Sequence, residues 1–386
     1  VGLFGFEMTW PEDKQLGHIS TFNTPGWQTR DQADFENVPT ALENYYEALA
    51  SVPGSVSQFN HPDIIHGDFE RFDHYSPEYD EAVSLLEIAG EDGAMDCEYY
   101  HLALDKTYAY VASAKGYKAL KGTLTGPDAL TNGKLSLTLE ATAPSTLTKL
   151  DALWPSFRGN NEHMAITSYK TALNEREATL VWSTATGSGY DSGAVSSPII
   201  VDGYLYAYAG TKLLKIDREK GNVVKETEMV AASDFAIVPP TYAEGMIFVG
   251  LANGCVQAFD AVTLESLWLY EDPLGGQPNC PITYSDGYLY TGFWNREDGN
   301  ANFVCLTVTD EDPAKTDESK LASWTYTSRG GFYWGGAYAC RDFVLVGTDD
   351  GEAGYTTGHA RVLSFDPRSG RLLGELTLPQ TGDLRS

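Results

Sequence analysis

Basic residues are scarce in this sequence. Lysine and arginine total 26 against 54 aspartates and glutamates, which gives a formal net charge of −28 over 386 residues. A surface of that sign repels phosphate groups, so nucleic acid is not expected as a partner and anionic membranes are disfavoured. The sequence also lacks a run of about 18 apolar residues, and it therefore predicts no transmembrane segment.

Cysteines are few, and no two of them are close together in the sequence. The five residues contain no Cys-x-x-Cys pair, and most stand in apolar, strand-like runs: Cys97, Cys255, Cys280, Cys305 and Cys340. This pattern disfavours a finger-type zinc site and a disulfide framework, and it predicts buried free thiols. The sequence also has no Gly-x-Ser-x-Gly motif, phosphate-binding loop or His-Glu-x-x-His motif.

Residues 1–105 mix helical and strand-like patterns, which predicts an α/β segment. The apolar side chains of "PTALENYYEALASV" recur with helical spacing, at Leu42, Tyr45, Tyr46 and Leu49. The phrase "SPEYDEAVSLLEIAG" predicts a helix capped by Ser76 and then a short strand. Residues 106–149 alternate polar and apolar side chains, which predicts a small β element or a β linker.

From residue 150 onward the sequence repeats. The phrase "SSPIIVDGYLYAYAG" returns in three variants, and its turn acids recur after 42, 42 and 56 residues, at Asp202, Glu244, Asp286 and Asp342. The polar insert "TDEDPAKTDESK" accounts for the longer last interval. A second phrase follows in three of the repeats, as a strand that ends in an aspartate before a turn: Asp217, Asp260 and Asp366.

A repeat of about 40 residues with four short strands is typical of a β-propeller blade. One four-stranded sheet cannot bury both of its faces, so such sheets stack on one another and share a core. The fold class that we predict is therefore mainly β: a propeller over residues 150–386, preceded by the α/β segment and the short β linker.

The blade phrase "SPIIVDGYLYAYAGTKLLKIDREKGNVV" and the opening "LWPSFRGNNEHMAI" resemble the PQQ-like (quinoprotein-like) β-propeller repeat family. Four blades are recognisable, fewer than such propellers usually have, so we expect this one to be incomplete. The resemblance implies an extracytoplasmic location, at the cell surface, secreted or periplasmic, in a bacterium.

A bound pyrroloquinoline quinone would need a tryptophan floor, basic residues and a calcium ion. Trp182, Trp268 and Trp324 recur near blade ends, where we expect them to pack between sheets. Trp294 and Trp334 lie elsewhere and are candidates for a pocket or a partner. The phrases "TDDGEAG" and "NREDGNAN" are incomplete as calcium loops. We therefore do not expect PQQ as a cofactor.

The amino-terminal phrases "GFEMTW", "GHISTFNT", "SQFNHPD" and "YYHLALDK" resemble the PHP (polymerase and histidinol phosphatase) metal-dependent phosphoesterases. Carried over by position, Glu7 would be a bridging carboxylate, with His18 and His61 as imidazole ligands of zinc, manganese or iron. Three further histidines match no ligand position: His66, His74 and His101. The family's His-x-His and Asp-x-His pairs are missing from this sequence, so we predict a degenerate segment without catalytic residues.

Three functions follow from these patterns. The first is a non-catalytic propeller that acts as a binding or scaffold module for a protein or a cell-envelope component. The second is a PHP-type metal-dependent phosphoesterase with the propeller as an accessory module. The third is a quinoprotein dehydrogenase.

Overall fold

The computed structural model describes residues 5–10, 16–22, 40–52, 55–60, 69, 79, 82–86, 107–125, 136–160, 162–186, 195–233, 238–352 and 359–378. These residues belong to two compact units. The smaller unit comprises Val1–Tyr110 and Gly122–Ser136, and the larger unit comprises Val111–Lys121 and Leu137–Ser386. No helix in the described ranges is long and apolar enough to span a membrane.

The smaller unit contains a sheet and a helix. The sheet has the order β1 (Gly5–Thr9), β2 (His18–Phe22), β3 (Val56–Asn60) and β4 (Val83–Leu86). Its pairs are antiparallel except for β3 and β4, which run parallel. Helix α1 (Ala41–Ala50) buries Leu42, Tyr45, Tyr46 and Leu49, which confirms the helix predicted from their spacing.

The larger unit is mainly β. Its described residues form four antiparallel sheets of four or five strands, which we call blades 1 to 4. Blade 1 contains β7 (Ala152–Trp154), β8 (Ile199–Val201), β9 (Tyr204–Ala209), β10 (Lys212–Asp217) and β11 (Val223–Glu228). Blade 2 contains β12 (Thr241–Ala243), β13 (Met246–Leu251), β14 (Cys255–Asp260) and β15 (Ser266–Glu271), with the short β19 (Glu318–Ser319) added parallel to β15.

Blade 3 contains β16 (Thr283–Ser285), β17 (Tyr288–Gly292), β18 (Asn300–Thr307) and β20 (Trp324–Arg329), and blade 4 contains β21 (Phe332–Ala339), β22 (Val344–Thr348), β23 (Arg361–Phe365) and β24 (Leu372–Thr377). A two-stranded ribbon, β5 (Thr107–Ala112) and β6 (Leu120–Thr125), precedes them, as the alternation over "TYAYVASAKGYKALKGTLT" predicts.

The blades stack in chain order, with β8, β12, β16 and β21 as adjacent strands. Equivalent hydrogen bonds join successive blades: Thr241 Oγ1 donates to Ile282 O at 2.8 Å, and Thr283 Oγ1 donates to Ala337 O at 2.7 Å. Apolar clusters fill the spaces between the sheets. The larger unit is thus a β-propeller arc, in agreement with the fold class expected from the repeats.

Tight turns at Asp202, Glu244 and Asp286 join β8 to β9 in blade 1, β12 to β13 in blade 2 and β16 to β17 in blade 3. These residues have φ of 48°, 54° and 47°, and each is followed by a glycine with φ between 78° and 89°. Two successive positive φ values define the type I′ turn, whose twist suits a hairpin. Asp342 lies in the corresponding connection of blade 4, where Cys340 N donates to Phe343 O at 3.0 Å and no glycine follows.

The predicted aspartates of the second phrase organise the turn before the outermost strand. The Oδ1 atom of each accepts two backbone N–H groups, from the residues two and three positions later: Asp217, Asp260 and Asp366. Since successive strands alternate in direction, these turns lie at the same end of the propeller as the type I′ turns. We call this the turn end.

Tryptophans pack at two of these aspartate turns. Trp182 Nε1 donates to Arg218 O at 2.9 Å in blade 1, and Trp324 Nε1 of blade 3 donates to Pro367 O at 3.1 Å in blade 4. Their rings lie against Gly221 and Gly370. Trp324 therefore lies between neighbouring sheets as expected, whereas the described apolar contacts of Trp182 are with blade 1.

In blade 3 the polar insert replaces the aspartate turn. Its Lys320 side chain is 1% exposed and donates from Nζ to Thr309 O at 2.5 Å and to Glu311 Oε1 at 2.9 Å. The same ammonium lies 5.5 Å from the ring centroid of Trp268. The insert therefore carries a buried ion pair that packs on Trp268, the second tryptophan of the series.

Candidate functional site

The sheet of the smaller unit brings two of the three predicted metal ligands together. Register pairs Thr9 with His18 across β1 and β2, which leaves Glu7 diagonally opposite the imidazole. His18 Nδ1 lies 3.5 Å from Glu7 Oε1, and Asn60 Nδ2, at the end of β3, donates to Glu7 Oε2 at 2.8 Å.

The third predicted ligand, His61, follows Asn60 in the chain and lies outside the described residues, as do His66, His74 and His101. Among the residues that are described, no group of three or more histidine, cysteine, aspartate or glutamate side chains could hold a metal ion. Glu7 and His18 would supply one carboxylate and one imidazole, so the metal assignment stays a prediction that depends on His61.

The sequence candidates for a quinone site differ in exposure. Trp268 is fully buried between blades, and Trp334 is 38% exposed. The two phrases that are incomplete as calcium loops meet at Tyr333, whose hydroxyl lies 2.7 Å from Glu297 Oε2 and 3.3 Å from Asp349 Oδ2.

The four cysteines that the structure describes are free thiols, and Cys255, Cys280 and Cys305 are buried as predicted. Burial raises the pKa of Cys280 and of Cys305 to about 12. A thiol with such a pKa is neutral and a poor nucleophile near pH 7, so these residues serve packing. Cys340 is half-buried, and Cys97 lies outside the described residues.

A cavity of about 370 Å³ opens at the turn end between blades 2 and 3. Blade 2 supplies lining residues from its type I′ turn and its aspartate turn, and blade 3 supplies the start of its insert. The third wall is formed by residues 115–116 and 142–147, which belong to the same unit. We call this cavity the cleft.

The third wall is fixed to the blades by specific contacts. Gly116 N donates to Thr309 Oγ1 at 2.8 Å, and Leu150 N donates to the Tyr242 hydroxyl at 2.6 Å. A Cβ on Gly245, where φ is +89°, would lie 2.8 Å from Thr148 O. This glycine therefore serves both the turn and the close approach of the wall.

Three donors hold the carboxylate of Glu244 at the edge of the cleft. Lys149 Nζ lies at 2.6 Å, the Tyr284 hydroxyl at 2.7 Å and Lys115 Nζ at 2.9 Å. Hydrogen bonds from Lys149 and then Tyr284 lower the pKa of Glu244 to about 2. The group is a fixed anion near pH 7, and its role is to tie the wall to blade 2.

Asp310 differs from Glu244, because its pKa is raised rather than lowered. Its Oδ1 atom is buried and has no hydrogen-bond partner in the described part of the chain. Burial, the largest effect, raises the pKa of this carboxyl. A hydrogen bond from the Asp312 backbone N–H and the charge of Lys320 oppose this rise in pKa, so the carboxyl has partners although its buried Oδ1 accepts no hydrogen bond from the described residues.

The comparisons with known proteins agree with the repeat pattern. Residues 169–293 match the family model described as "Outer membrane protein assembly factor BamB". No curated protein matches the chain.

Several solved structures are similar to the chain at low identity. Quinohemoprotein alcohol dehydrogenase from Comamonas testosteroni has 16% identity and a TM-score of 0.46, over 60% of this chain and 42% of that one. A europium-containing methanol dehydrogenase has 14% identity and a TM-score of 0.46, over 59% and 49%. BamB from Moraxella catarrhalis has 13% identity and a TM-score of 0.33, over 48% and 51%. The assignment of fold rests on the strands of this chain and not on these likenesses.

Proposed function

We propose that the propeller is a non-catalytic binding module, and that the cleft receives a segment of a partner protein or of a cell-envelope component. The observation that carries this proposal is the cleft itself. Its volume of about 370 Å³ falls within the range of about 300–1,000 Å³ that is typical of ligand pockets.

The charged groups at the cleft support binding rather than proton transfer. Glu244 is occupied by two lysines and a tyrosine, and Asp260 Oδ1 accepts the N–H groups of Val262 and Thr263 at 2.6 and 2.7 Å. General acid–base catalysis needs a group that is free to exchange its proton with the substrate, whereas both of these carboxylates are occupied by hydrogen bonds within the fold.

An extracytoplasmic location in a bacterium belongs to the same proposal. The matched family is named for outer membrane protein assembly, and the strongly acidic composition suits a protein outside the cell. The name of that family also favours a protein as the partner.

Selection from a random peptide display library tests the proposal. We expect the wild-type chain to enrich a common motif, because a preformed cavity binds a short segment without reorganisation. Ala143→Trp places an indole on a lining residue and should abolish enrichment, whereas Val224→Trp, on the 45% exposed Val224 of β11, should not. Absence of any motif, or a motif that survives Ala143→Trp, would contradict the proposal.

A second candidate, a metal-dependent phosphoesterase in the smaller unit, is favoured by the contact between Glu7 and His18 and by the hydrogen bond from Asn60 to Glu7. Tight binding of two metal ions per chain, lost in His61→Ala together with hydrolysis of a phosphate ester, would support it. At most one equivalent without hydrolysis would favour the degenerate segment.

A further inference from the structure

We propose that residues 180–185 form an open edge strand that receives an antiparallel β-strand from a partner polypeptide. This surface is separate from the cleft, and the inference goes beyond the proposed function. It follows from a comparison of two tryptophans. Trp182 docks on blade 1 as Trp324 docks on blade 4, but only Trp324 belongs to a sheet in the described part of the chain.

The two tryptophans make the same contacts with the blade that follows them. Each indole N–H donates to the carbonyl oxygen of the residue after the turn aspartate, at 2.9 Å for Trp182 and at 3.1 Å for Trp324. Each ring lies against the glycine of that turn, which is Gly221 with φ of +73° in blade 1 and Gly370 with φ of +71° in blade 4. Trp182 therefore holds the position of a residue on the outermost strand of a preceding blade.

The neighbours of Trp182 also have the side-chain pattern of such a strand. Exposed and partly buried side chains alternate from residue 181 to 185, and Thr184 Oγ1 donates to a backbone carbonyl of the same turn. In β20, Trp324 and Tyr326 face blade 4, and the residues that follow each of them are exposed. Alternation with a period of two is that of a β-strand.

The contacts that the inner strands of a preceding blade would make are missing among the described residues. The Tyr206 hydroxyl of blade 1 donates to Ala261 O of blade 2 at 2.6 Å. The Tyr290 hydroxyl of blade 3 donates to Pro367 O of blade 4 at 3.1 Å. The corresponding carbonyl in blade 1 is that of Arg218, and it accepts the indole N–H of Trp182 but no described tyrosine hydroxyl.

The edge itself is apolar and exposed. Leu180 is 82% exposed and Val181 is 78% exposed, whereas Leu267, which directly precedes Trp268 in blade 2, packs against a core cluster. Residues 178–186 contain no charged side chain in a chain whose net charge is −28. Charged residues are a common protection of strand edges against pairing, and this edge lacks them.

The pairing of the other blades identifies the occupant. In blade 3, β20 pairs antiparallel with the third strand, β18, which packs Phe303 on one face and Val304 on the other. The third strands of this chain are each paired on both sides, so a second copy has none of them free: β10, β14, β18 and β23. The occupant is therefore a strand of a separate polypeptide, apolar on both faces, bound by strand addition.

Hydrogen–deuterium exchange of the full chain tests the edge. The probe is a peptide that copies residues 299–308, which include β18, with Cys305→Ala to prevent disulfide formation. We expect it to slow exchange in residues 180–185 saturably, by about tenfold, because the edge amides gain hydrogen bonds. The same peptide with Phe303→Pro and Val304→Pro should have no effect, since proline has no N–H group to pair.

Two tryptophan variants of the chain complete the test. Trp182→Ala should abolish the effect of the peptide, because the strand loses its anchor on blade 1. Trp334→Ala, which removes the 38% exposed indole of β21, should preserve the effect. The peptide series with the wild-type chain does not depend on the folding of either variant.

Unchanged exchange in residues 180–185, equal slowing by the proline peptide, or slowing that survives Trp182→Ala would overturn the inference. Slowing that appears without peptide and grows with protein concentration would assign the edge to a second copy of the chain, and it would overturn the choice of a separate partner.

Discussion

Substituting Gly370 tests how the blades are joined. The residue has φ of +71°, and a Cβ at this position would lie 2.5 Å from Cδ2 of Trp324. Gly370→Ala should therefore lower stability in two ways. The added Cβ disfavours the left-handed backbone, and it collides with the Trp324 ring, which packs blade 3 against blade 4. Gly203→Ala is the matched control, because Gly203 has φ of +78° but no atom within 4 Å of the added methyl.

The magnitudes separate the two effects. An L-residue in the left-handed region costs about 1–2 kcal/mol, and overpacking a fitted site costs about 1–3 kcal/mol more. We expect Gly203→Ala to lose only the first amount of unfolding free energy, and Gly370→Ala to lose about 2–5 kcal/mol in all. Urea denaturation of both variants, followed by tryptophan fluorescence and far-ultraviolet circular dichroism, measures the difference.

Equal losses in the two variants would refute the reasoning, because they would mean that the Trp324 ring does not press on Gly370. Trp324→Phe provides an independent check. It keeps an aromatic ring but removes the indole N–H that donates to Pro367 O at 3.1 Å. Because the Tyr290 hydroxyl still donates to that oxygen, we expect a loss of about 0.5–1.5 kcal/mol.

Three further predictions concern charged groups. Lys320→Ala should lower the free energy of unfolding by about 3–5 kcal/mol, because it leaves the partly buried Glu311 without its ammonium partner. The double change Lys320→Met with Glu311→Gln should recover most of that loss in the same denaturation assay. A single variant as stable as the wild type would contradict the buried ion pair. Glu244→Gln should lower stability at neutral pH by about 1–3 kcal/mol. The folded-state pKa of about 2 lies below the ordinary 4.5, so this contribution is complete above pH 4.5 and is lost as pH falls towards 2, where wild type and variant should converge; a constant difference across that range would contradict it. Dialysed protein should retain at most one equivalent of zinc, manganese or iron by elemental analysis, and His61→Ala should remove it; metal retained by that variant would exclude His61 as a ligand.

Much of the propeller could be predicted because its signals are local. An acidic residue followed by glycine specifies the type I′ turns at Asp202, Glu244 and Asp286, where the required φ values depend only on the two turn residues. The aspartates of the turns before the outermost strands are equally local, since each accepts N–H groups two and three residues onward. The turn at Asp342 could not be predicted in this way, because no glycine follows it and the turn is closed instead by the hydrogen bond from Cys340 N to Phe343 O.

The cleft could not be predicted, because chain segments far apart in sequence build it. Lys115 and Asp310 are separated by about half of the chain, and no spacing rule links them. The insert "TDEDPAKTDESK" is polar throughout, yet Lys320 at its end is 1% exposed. Its burial depends on Trp268 and Glu311, which the sequence alone does not place beside it. The one local signal was the insert's interruption of the repeat spacing.

The predicted metal site was partly predictable from the sequence, less so than the turns and more so than the cleft. Pairing of β1 with β2 places Glu7 near His18, as the resemblance to a metal-binding family implies, but register alone does not show whether a third ligand completes the set.

Hydrogen–deuterium exchange with a peptide selected by the wild-type chain tests the binding function most directly. The account predicts slower exchange on binding in residues 142–147 and 308–313, the two walls that flank the cleft. Backbone amides in the aspartate turns of blades 1 and 4 should be unaffected. Protection confined to segments that do not line the cleft would contradict the account, because the partner would then be bound elsewhere.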